Sequence, residues 1–219
     1  MVNRAIILTL GFDEKFAIRA LMRAAPLKDD EIVVIIPAIK DERCKKAMDS
    51  LKSFCDISGG AMFDVKEVPI TEPEIAIATI YRTFSQKLKN GKRLYLNLSG
   101  GMRALILETL AAALAVARHI PDIKVEVELE NFGGIAEFIL SYFMLSPPGS
   151  LDLSILTCIK ELEAICKHAT LDAITSKTRI PRSTVYRRLL DLVEKGYVKL
   201  ERQGKRVVYS LTDLGRMWA

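Results

Sequence analysis

The residues best suited to bind a ligand lie in the segment Arg93–Ala104, RLYLNLSGGMRA, where an apolar run stops at Ser99, Gly100 and Gly101 and a long apolar stretch of helical type follows. A strand that passes directly into a helix leaves backbone N–H groups free, and these groups together with the helix dipole favour an anion such as phosphate. The glycines let a ligand approach the backbone, and Ser99 can cap the helix or donate its hydroxyl. Arg103 adds a permanent positive charge whose fork geometry suits phosphate. The same pattern is also compatible with a tight turn that binds nothing.

A second set of candidate residues lies on a predicted helix over Pro181–Lys195. Apolar residues at helical spacing predict its buried face, and short hydroxyls and arginines occupy the opposite face, where they suit phosphate and base-edge contacts in a major groove. The DNA-contacting residues expected on this helix and its flanks are Arg182, Ser183, Thr184, Tyr186, Arg187 and Arg188. Two alternating segments follow and predict a wing whose tip offers Arg202, Lys205 and Arg206. The alternative is a winged helix that contacts only proteins.

The elements that position the first set are four strand–helix units in succession, which predict a doubly wound, mostly parallel sheet of the Rossmann-like α/β class. Their strands are expected over Ala5–Leu10, Ile32–Ile36, Met62–Ile70 and Arg93–Leu98, with helices to about Ala24, over Lys40–Ser58, to about Asn90 and to about His119. The turn after the first strand has one glycine, so a dinucleotide redox cofactor is disfavoured.

The end of this region changes character. Lys124–Glu130 alternates strictly, with valines and a leucine on one face and three glutamates on the other, and a turn leads to a further strand over Ala136–Leu145. The pair predicts an antiparallel hairpin added to the sheet. The segment SPPGS at 146–150 has the composition of a linker. We therefore expect a ligand-sensing and dimerisation domain over 1–145 and a winged helix-turn-helix domain over 151–219.

In such sheets ligands bind beyond the carboxyl ends of the strands, at the switch in strand order. If the first and fourth strands are neighbours, Gly11, Phe12 and Asp13 lie beside the Ser99–Arg103 loop. The helix Met102–Arg118 is apolar almost all round, so it needs a second partner besides the sheet, either the small domain or another copy of the chain. A two-fold dimer on this helix would join two loops into one symmetric site.

Charge and cysteine content narrow the partners and the compartment. Residues 1–148 carry equal numbers of basic and acidic side chains, so the net charge of +5 lies in the last third of the 219 residues, as expected for a module that binds a polyanion. The four cysteines form no metal-binding pattern, which predicts reduced thiols and no metal site. The longest apolar stretch is too short to span a membrane, so we expect a cytoplasmic protein that does not contact the membrane.

The chain resembles a known family over nearly its whole length. TLGFDEK and LNLSGGMRAL look like the sensor motifs of a CARF domain, the CRISPR-associated Rossmann-like fold, and RIPRSTVYRRLLDLVEKGYVKLERQGKRVVYSLTDLG resembles the winged helices of bacterial and archaeal regulators. Together they are similar to an archaeal CRISPR-associated regulator family. The resemblance implies a homodimer that binds a cyclic oligoadenylate, in particular cyclic tetra-adenylate, and regulates CRISPR-linked transcription in antiviral defence. The ligand-binding residues that it implies are Gly11, Phe12, Asp13, Ser99, Gly100, Gly101, Met102 and Arg103.

Three functions follow from this resemblance. The first is a ligand-responsive regulator that binds double-stranded DNA, uses no cofactor and has no catalytic residue. The second is a slow ring nuclease, because cleavage by a ribose 2′-hydroxyl needs only positioning and charge stabilisation, which Ser99 and Arg103 can supply. Many family loops carry Thr and Lys around the glycine pair, where this chain has Ser99 and Arg103. This change preserves phosphate binding, but it argues against a catalytic role that depends on a lysine. The third is an adaptor of a CRISPR effector complex.

Overall fold

A computed structural model of the protein describes residues 3–39, 41–57, 61–118, 120, 123–143, 147–204 and 206–219. The chain divides into two compact units, Met1–Met144 and Leu145–Ala219. Across the described ranges, no helix is both long enough and apolar enough to cross a membrane.

The first unit is a six-stranded sheet with helices on both faces, which confirms the predicted α/β class. Its strands are β1 (Arg4–Thr9), β2 (Glu31–Pro37), β3 (Met62–Val68), β4 (Arg93–Asn97), β5 (Lys124–Glu128) and β6 (Ile135–Ile139). Its helices are α1 (Lys15–Ala24), α2 (Glu42–Ile57), α3 (Pro73–Lys89) and α4 (Arg103–Ala117), followed by a 3-10 turn over Leu140–Phe143.

The strand order is β3-β2-β1-β4-β5-β6, with every neighbouring pair parallel except β5 and β6. The first and fourth strands are therefore neighbours, in a register that sets Ile7 opposite Leu96. Successive strands run outward from β1 in one direction and then outward from β4 in the other. The switch in strand order lies between β1 and β4, so the crevice beyond their carboxyl ends is the place where such sheets bind ligands.

Alternate residues of the central strands supply two separate cores. On one face, Ile7 and Val33 pack with α3 and α4, whose Phe84 and Leu105 are fully buried. On the other face, neighbouring strand residues such as Leu8 pack with α1 and α2. This burial on both faces explains why β1 and β2 are almost continuously apolar.

The hairpin β5–β6 differs from the sequence prediction in its second strand. A strand was expected over Ala136–Leu145, but β6 ends at Ile139 and the chain then turns in a 3-10 helix. The backbone N–H of Leu140 donates to Ile123 O at 3.0 Å, and the Leu140 side chain is fully buried. Burying this leucine against the first core requires the chain to turn inward, which ends the strand. Met144 and Leu145 lie outside the described residues.

Two glutamates on β5 are buried, although the sequence pattern only assigned them to the face opposite the valines. The exposed fractions of Glu126 and Glu128 are 5% and 2%. Arginines of α1 lie across this part of the sheet: Arg19 Nε donates to Glu128 Oε1 at 2.6 Å, and Arg23 Nη1 donates to Glu128 Oε2 at 2.8 Å. Arg23 Nε donates to Glu126 Oε1 at 2.7 Å, and the hydroxyl of Tyr95 donates to the same carboxylate. This network ties α1 to β5 across β4.

The second unit has the order helix, helix-turn-helix and β wing. Its elements are α5 (Ser150–Ala164), α6 (Leu171–Thr178), α7 (Arg182–Glu194), β7 (Val198–Gln203), β8 (Arg206–Leu211) and α8 (Asp213–Arg216), with β7 and β8 antiparallel. The sequence predicts a short helix over Thr170–Lys177 that begins with a threonine cap, and Thr170 Oγ1 caps α6 by accepting from Ala173 N–H at 3.3 Å. The apolar residues over Leu151–His168 have helical spacing and predict a helix to His168, but α5 ends at Ala164 and Cys166 turns the chain with a φ of 53°.

All four cysteines are free thiols, as the sequence predicts. Cys44, Cys55 and Cys158 are buried within helices, whereas Cys166 is exposed beyond the end of α5.

The buried network makes the stability of the first unit depend on pH. Burial raises the pKa of Glu128, but hydrogen bonds from Arg23 and Arg19 outweigh burial and hold this pKa below its ordinary value. A carboxyl whose pKa is lower in the folded state stabilises the fold above the unfolded value of about 4.3, and this stabilisation is lost as the pH falls through the folded value.

We expect Glu128→Gln to lower the free energy of unfolding by about 1–3 kcal/mol at pH 7 because it removes a charged partner from buried hydrogen bonds. Urea denaturation between pH 7 and about pH 3.5 measures the free energy of unfolding of both proteins. The difference between the wild type and Glu128→Gln should become smaller toward the acid end of this range. Glu137→Gln, which alters an exposed pair with Lys124, is the matched control and should change stability by less than about 0.5 kcal/mol. If Glu128→Gln lowered the free energy of unfolding by the same large amount at every pH, the ionised Glu128 carboxylate would not be the cause of the pH dependence.

Candidate ligand and DNA sites

The loops after β1 and β4 touch each other through their backbones at the carboxyl end of the sheet. A Cβ added to Gly11 would lie 3.1 Å from Gly101 Cα and 3.3 Å from Met102 N. These distances are shorter than most Cβ contacts, so glycine at position 11 lets the two loops meet without displacing either backbone. The structure therefore brings together three of the residues that the resemblance implies: Gly11, Gly101 and Met102.

Thr9, the last residue of β1, contacts the glycine pair. It was not among the site residues predicted from the sequence. Its hydroxyl donates to Gly100 O, and its side chain is almost completely buried. Gly101 has a φ of +103°, a conformation that favours glycine, and a Cβ at that position would lie 3.2 Å from Thr9 Cβ. The carbonyl of Gly100 is thus drawn toward β1. Threonine at the end of a buried strand is common enough that no sequence pattern marks this role.

Ser99 does not cap α4, so that alternative is wrong. The N-cap residue is Met102, which makes no side-chain cap. Ser99 Oγ instead accepts a hydrogen bond from the backbone N–H of Glu128 at 2.8 Å, and Ser99 N–H donates to Asn97 Oδ1 at 3.2 Å. Because the hydroxyl accepts this bond, its own proton remains available to an acceptor. Ser99 is thereby tied to β5 and to the arginine network of α1.

The start of α4 combines an uncapped helix terminus with an arginine. Arg103 is the first residue of this 15-residue helix and is exposed. Within the described part of the chain it makes no ion pair. Free backbone N–H groups and an unpaired guanidinium at one helix start are suited to a phosphate group.

Asp13 and Phe12 of the first loop have partners on α1 and α2. Asp13 Oδ1 accepts from the backbone N–H of Lys15 at 2.9 Å, so its carboxylate is engaged at the start of α1. Phe12 is 39% exposed, and the guanidinium carbon of Arg43 lies 4.2 Å from the centre of its ring. Arg43 belongs to α2 and is a further residue that the sequence reasoning missed, because only the fold brings α2 to this loop.

The β5–β6 turn also reaches this end of the sheet. The rings of Phe132 and Phe16 stack with centroids 5.2 Å apart, and the Arg19 guanidinium lies 5.0 Å from the Phe132 centroid. The turn is therefore packed on α1, the helix that follows the first loop. The sequence indicated only a turn here.

The exposed face of α7 carries the expected residues, but its arginines differ in what they contact. Ser183 and Arg187 are exposed, Tyr186 is 50% exposed, and Thr184 is half-buried. Arg187 makes no ion pair with any described residue. It therefore differs from Arg182 and Arg188, which both have acidic partners.

Two arginines of the same helix pair with other elements of the unit. Arg182 pairs with Asp172 of α6. Arg188 Nε lies 3.7 Å from Oδ1 of Asp152, a buried residue of α5, so Arg188 faces the interior of the unit. On the wing, Arg202 and Arg206 are exposed. Lys205 lies outside the described residues.

Among the described residues, no group of three or more His, Cys, Asp or Glu side chains is arranged to hold a metal ion.

Three solved structures show low sequence identity to this chain. AF1382 from Archaeoglobus fulgidus is 27% identical, covering 30% of this chain and 72% of that chain with a TM-score of 0.29. Can2 from Sulfobacillus thermosulfidooxidans, solved in complex with cyclic tetra-adenylate, is 12% identical over 98% of this chain and 63% of that chain, with a TM-score of 0.44. A type III CRISPR defence DNA nuclease activated by cyclic oligoadenylate is 11% identical over 95% of this chain and 37% of that chain, with a TM-score of 0.47. The protein thus spans less than two thirds of the length of the last two chains.

No curated protein matches the chain. Two protein families match it along its length. Residues 4–139 match the family described as the Csa3 CRISPR-associated Rossmann-like domain, and residues 165–214 match the family described as the sugar-specific transcriptional regulator TrmB. The first match covers the sheet with both loops, and the second covers the helix-turn-helix and wing. The chain therefore belongs to the Csa3 CRISPR-associated Rossmann-like family, with a TrmB-type winged helix at its C-terminal end.

Proposed function

We propose that this protein is a cytoplasmic transcriptional regulator that binds double-stranded DNA through its winged helix and senses cyclic tetra-adenylate through its CARF domain. The observation that carries the proposal is the backbone contact between the Gly11 and Gly101 loops beside the uncapped start of α4. In this proposal residues 1–145 sense the ligand and dimerise, and residues 151–219 bind the operator.

The chemistry of the loop site favours a phosphate ligand without a cofactor. The glycine floor permits close approach, and the N–H groups of α4 and Arg103 supply donors and positive charge. A single loop offers few donors to a ring of phosphates. Two loops related by a two-fold axis would offer twice as many and would match a ligand that is itself two-fold symmetric.

The dimer in this proposal forms on the side of α4 that the sheet does not cover. Leu107 is 66% exposed, and Ile106, Leu110 and Leu114 of the same helix are half-buried at the margin of the first core. An apolar surface of this kind on α4 is suited to a second copy of the chain.

Leu107→Glu should convert the protein to a monomer, because it places a charge in the proposed apolar interface without disturbing a buried side chain. Sedimentation velocity of the full chain measures the outcome. Met22→Glu, at a residue of α1 that is 67% exposed, is the matched control and should leave the dimer intact. A dimeric Leu107→Glu variant would exclude this interface.

The function itself is tested by linkage between the two ligands. DNA affinity is measured at fixed salt with and without saturating cyclic tetra-adenylate, and ligand affinity with and without operator DNA. Linkage requires the two factors to be equal. If the ligand changes DNA affinity, and DNA changes ligand affinity by the same factor, the protein is a ligand-responsive regulator. An unchanged DNA affinity would show that the ligand signal acts on another partner. Recovery of linear nucleotide from the same samples would indicate a ring nuclease.

Arg103→Ala should weaken ligand binding by about 1.5–3 kcal/mol, because it removes charged hydrogen bonds to phosphate. Isothermal titration with cyclic tetra-adenylate measures the change. Arg118→Ala alters an exposed arginine just beyond the opposite end of the same helix and should leave the affinity unchanged. Equal affinities for the wild type and Arg103→Ala would remove Arg103 from the site.

Arg187→Ala should weaken operator binding by about 1–3 kcal/mol and relax base preference at one position, because a bidentate contact to a base edge is lost. Competition binding with single-base operator variants measures both effects. Arg216→Ala removes the same charge from α8, where the arginine pairs with Glu163, and serves as control. If affinity and preference both survive Arg187→Ala, α7 is not the recognition helix.

A further inference from the structure

Four elements of the winged helix line a groove of about 650 Å³: the loop between α5 and α6, the helix α6, the start of α7 and the wing strand β8. The loop between α5 and α6 contributes Lys167 and His168, the start of α7 contributes Arg182 and Tyr186, and the wing strand β8 contributes Arg206. The two loop residues were not among those that the sequence predicted to contact DNA. They are distant in sequence from α7 and from the wing, and only the fold brings them to one place.

The loop is fixed on both sides. On the α5 side, Lys167 N–H donates to Leu162 O at 2.9 Å. On the wing side, Tyr209 N–H donates to Ala169 O at 2.9 Å, which forms an isolated β-bridge between the loop and β8. Both Ala169 and Tyr209 are buried. The backbone that carries Lys167 and His168 is therefore held at the wing instead of moving as a free loop.

The groove has an excess of positive charge. Asp172 is its acidic residue, and it pairs with Arg182. Lys167, His168 and Arg206 are exposed and make no ion pair with any described residue. Tyr186 adds a hydroxyl, and the buried Tyr209 also lines the groove. Unpaired cations and a hydroxyl in one groove beside a recognition helix are the donors that DNA phosphates use.

We propose that this groove clamps a phosphate of the DNA backbone beside the recognition helix, and that His168 joins the clamp in its protonated form so that DNA affinity rises as the pH falls. The inference rests on the proposed DNA binding and adds to it two contacts and a pH dependence. Histidine is the side chain whose charge ordinarily changes between about pH 5 and pH 8. A phosphate beside it favours the charged form.

The test uses the full chain and a fluorescently labelled 40-base-pair duplex of mixed sequence, with binding followed by anisotropy at pH 6.0 and 7.5 over a series of salt concentrations. The wild type should bind more tightly at pH 6.0, by up to about eightfold at 0.1 M salt, the factor given by a salt slope steeper by about 0.9. His168→Gln should lose this gain and keep the affinity of the wild type at pH 7.5. His168→Lys should bind tightly at both pH values.

The chain contains one other histidine, His119, so His119→Gln is the matched control and should keep the full gain. Lys167→Gln should flatten the salt slope by about one unit at both pH values, whereas Lys160→Gln, at an α5 residue whose Nζ donates to Ala219 O, should not. An intact pH gain in His168→Gln, or a wild-type slope in Lys167→Gln, would overturn the clamp. A wild type that binds no duplex at either pH would overturn the proposed DNA binding itself, and Arg187→Ala tests that function independently of the groove.

Discussion

The burial of two carboxylates on β5 is the constraint on which the loops at the carboxyl end of the sheet depend. Ionised groups are costly to bury unless they are paired, so Glu126 and Glu128 need cations within the fold. Arg19 and Arg23 supply them from α1, and this pairing holds α1 across β4. The helix α1 follows the Gly11 loop directly. One set of ion pairs therefore fixes the distance between the first loop and β5.

The backbone of Glu128 extends the same constraint to the second loop. Its N–H is bound to Ser99 Oγ while its carboxylate is bound to α1, so a single residue joins both loops. The second loop is also bound from β1, where the Thr9 hydroxyl donates to Gly100 O. With the loop oriented from two sides, neither Ser99 nor any other side chain has to cap α4. The donors at the helix start are left open to a ligand, which is the arrangement that binding a phosphate with little reorganisation requires.

Local patterns in the sequence predicted the parts of the fold and site that depend on local structure. The apolar runs and glycine turns gave the strands in order, the neighbouring loops, the cap at Thr170 and the exposed face of α7. The contacts of Glu128, Thr9, Lys167 and His168 could not be predicted in this way, because each depends on strand register or on packing between elements far apart in sequence. The same limit explains the incorrect end of β6, since no local signal shows that Leu140 is needed in the core. Arg182 and Arg188 match the pattern of a DNA-contacting face, but their partners Asp172 and Asp152 come from other helices.

The topology also limits how a ligand could influence the rest of the chain. The loops lie at the carboxyl ends of the parallel strands, whereas antiparallel β6 returns the chain to their amino ends, where Ile139 pairs with Lys124. The hairpin β5–β6 thus runs from the residue bound to Ser99 to the place where the first unit ends. A movement of Ser99 on ligand binding would act on Glu128, which belongs to the paired strands that lead to Leu140. Because Arg19 and Arg23 of α1 form ion pairs with the same glutamate, such a movement must also shift α1 or break these ion pairs. In the proposed function, coupling between ligand and DNA within one chain would therefore require the hairpin and α1 to move together.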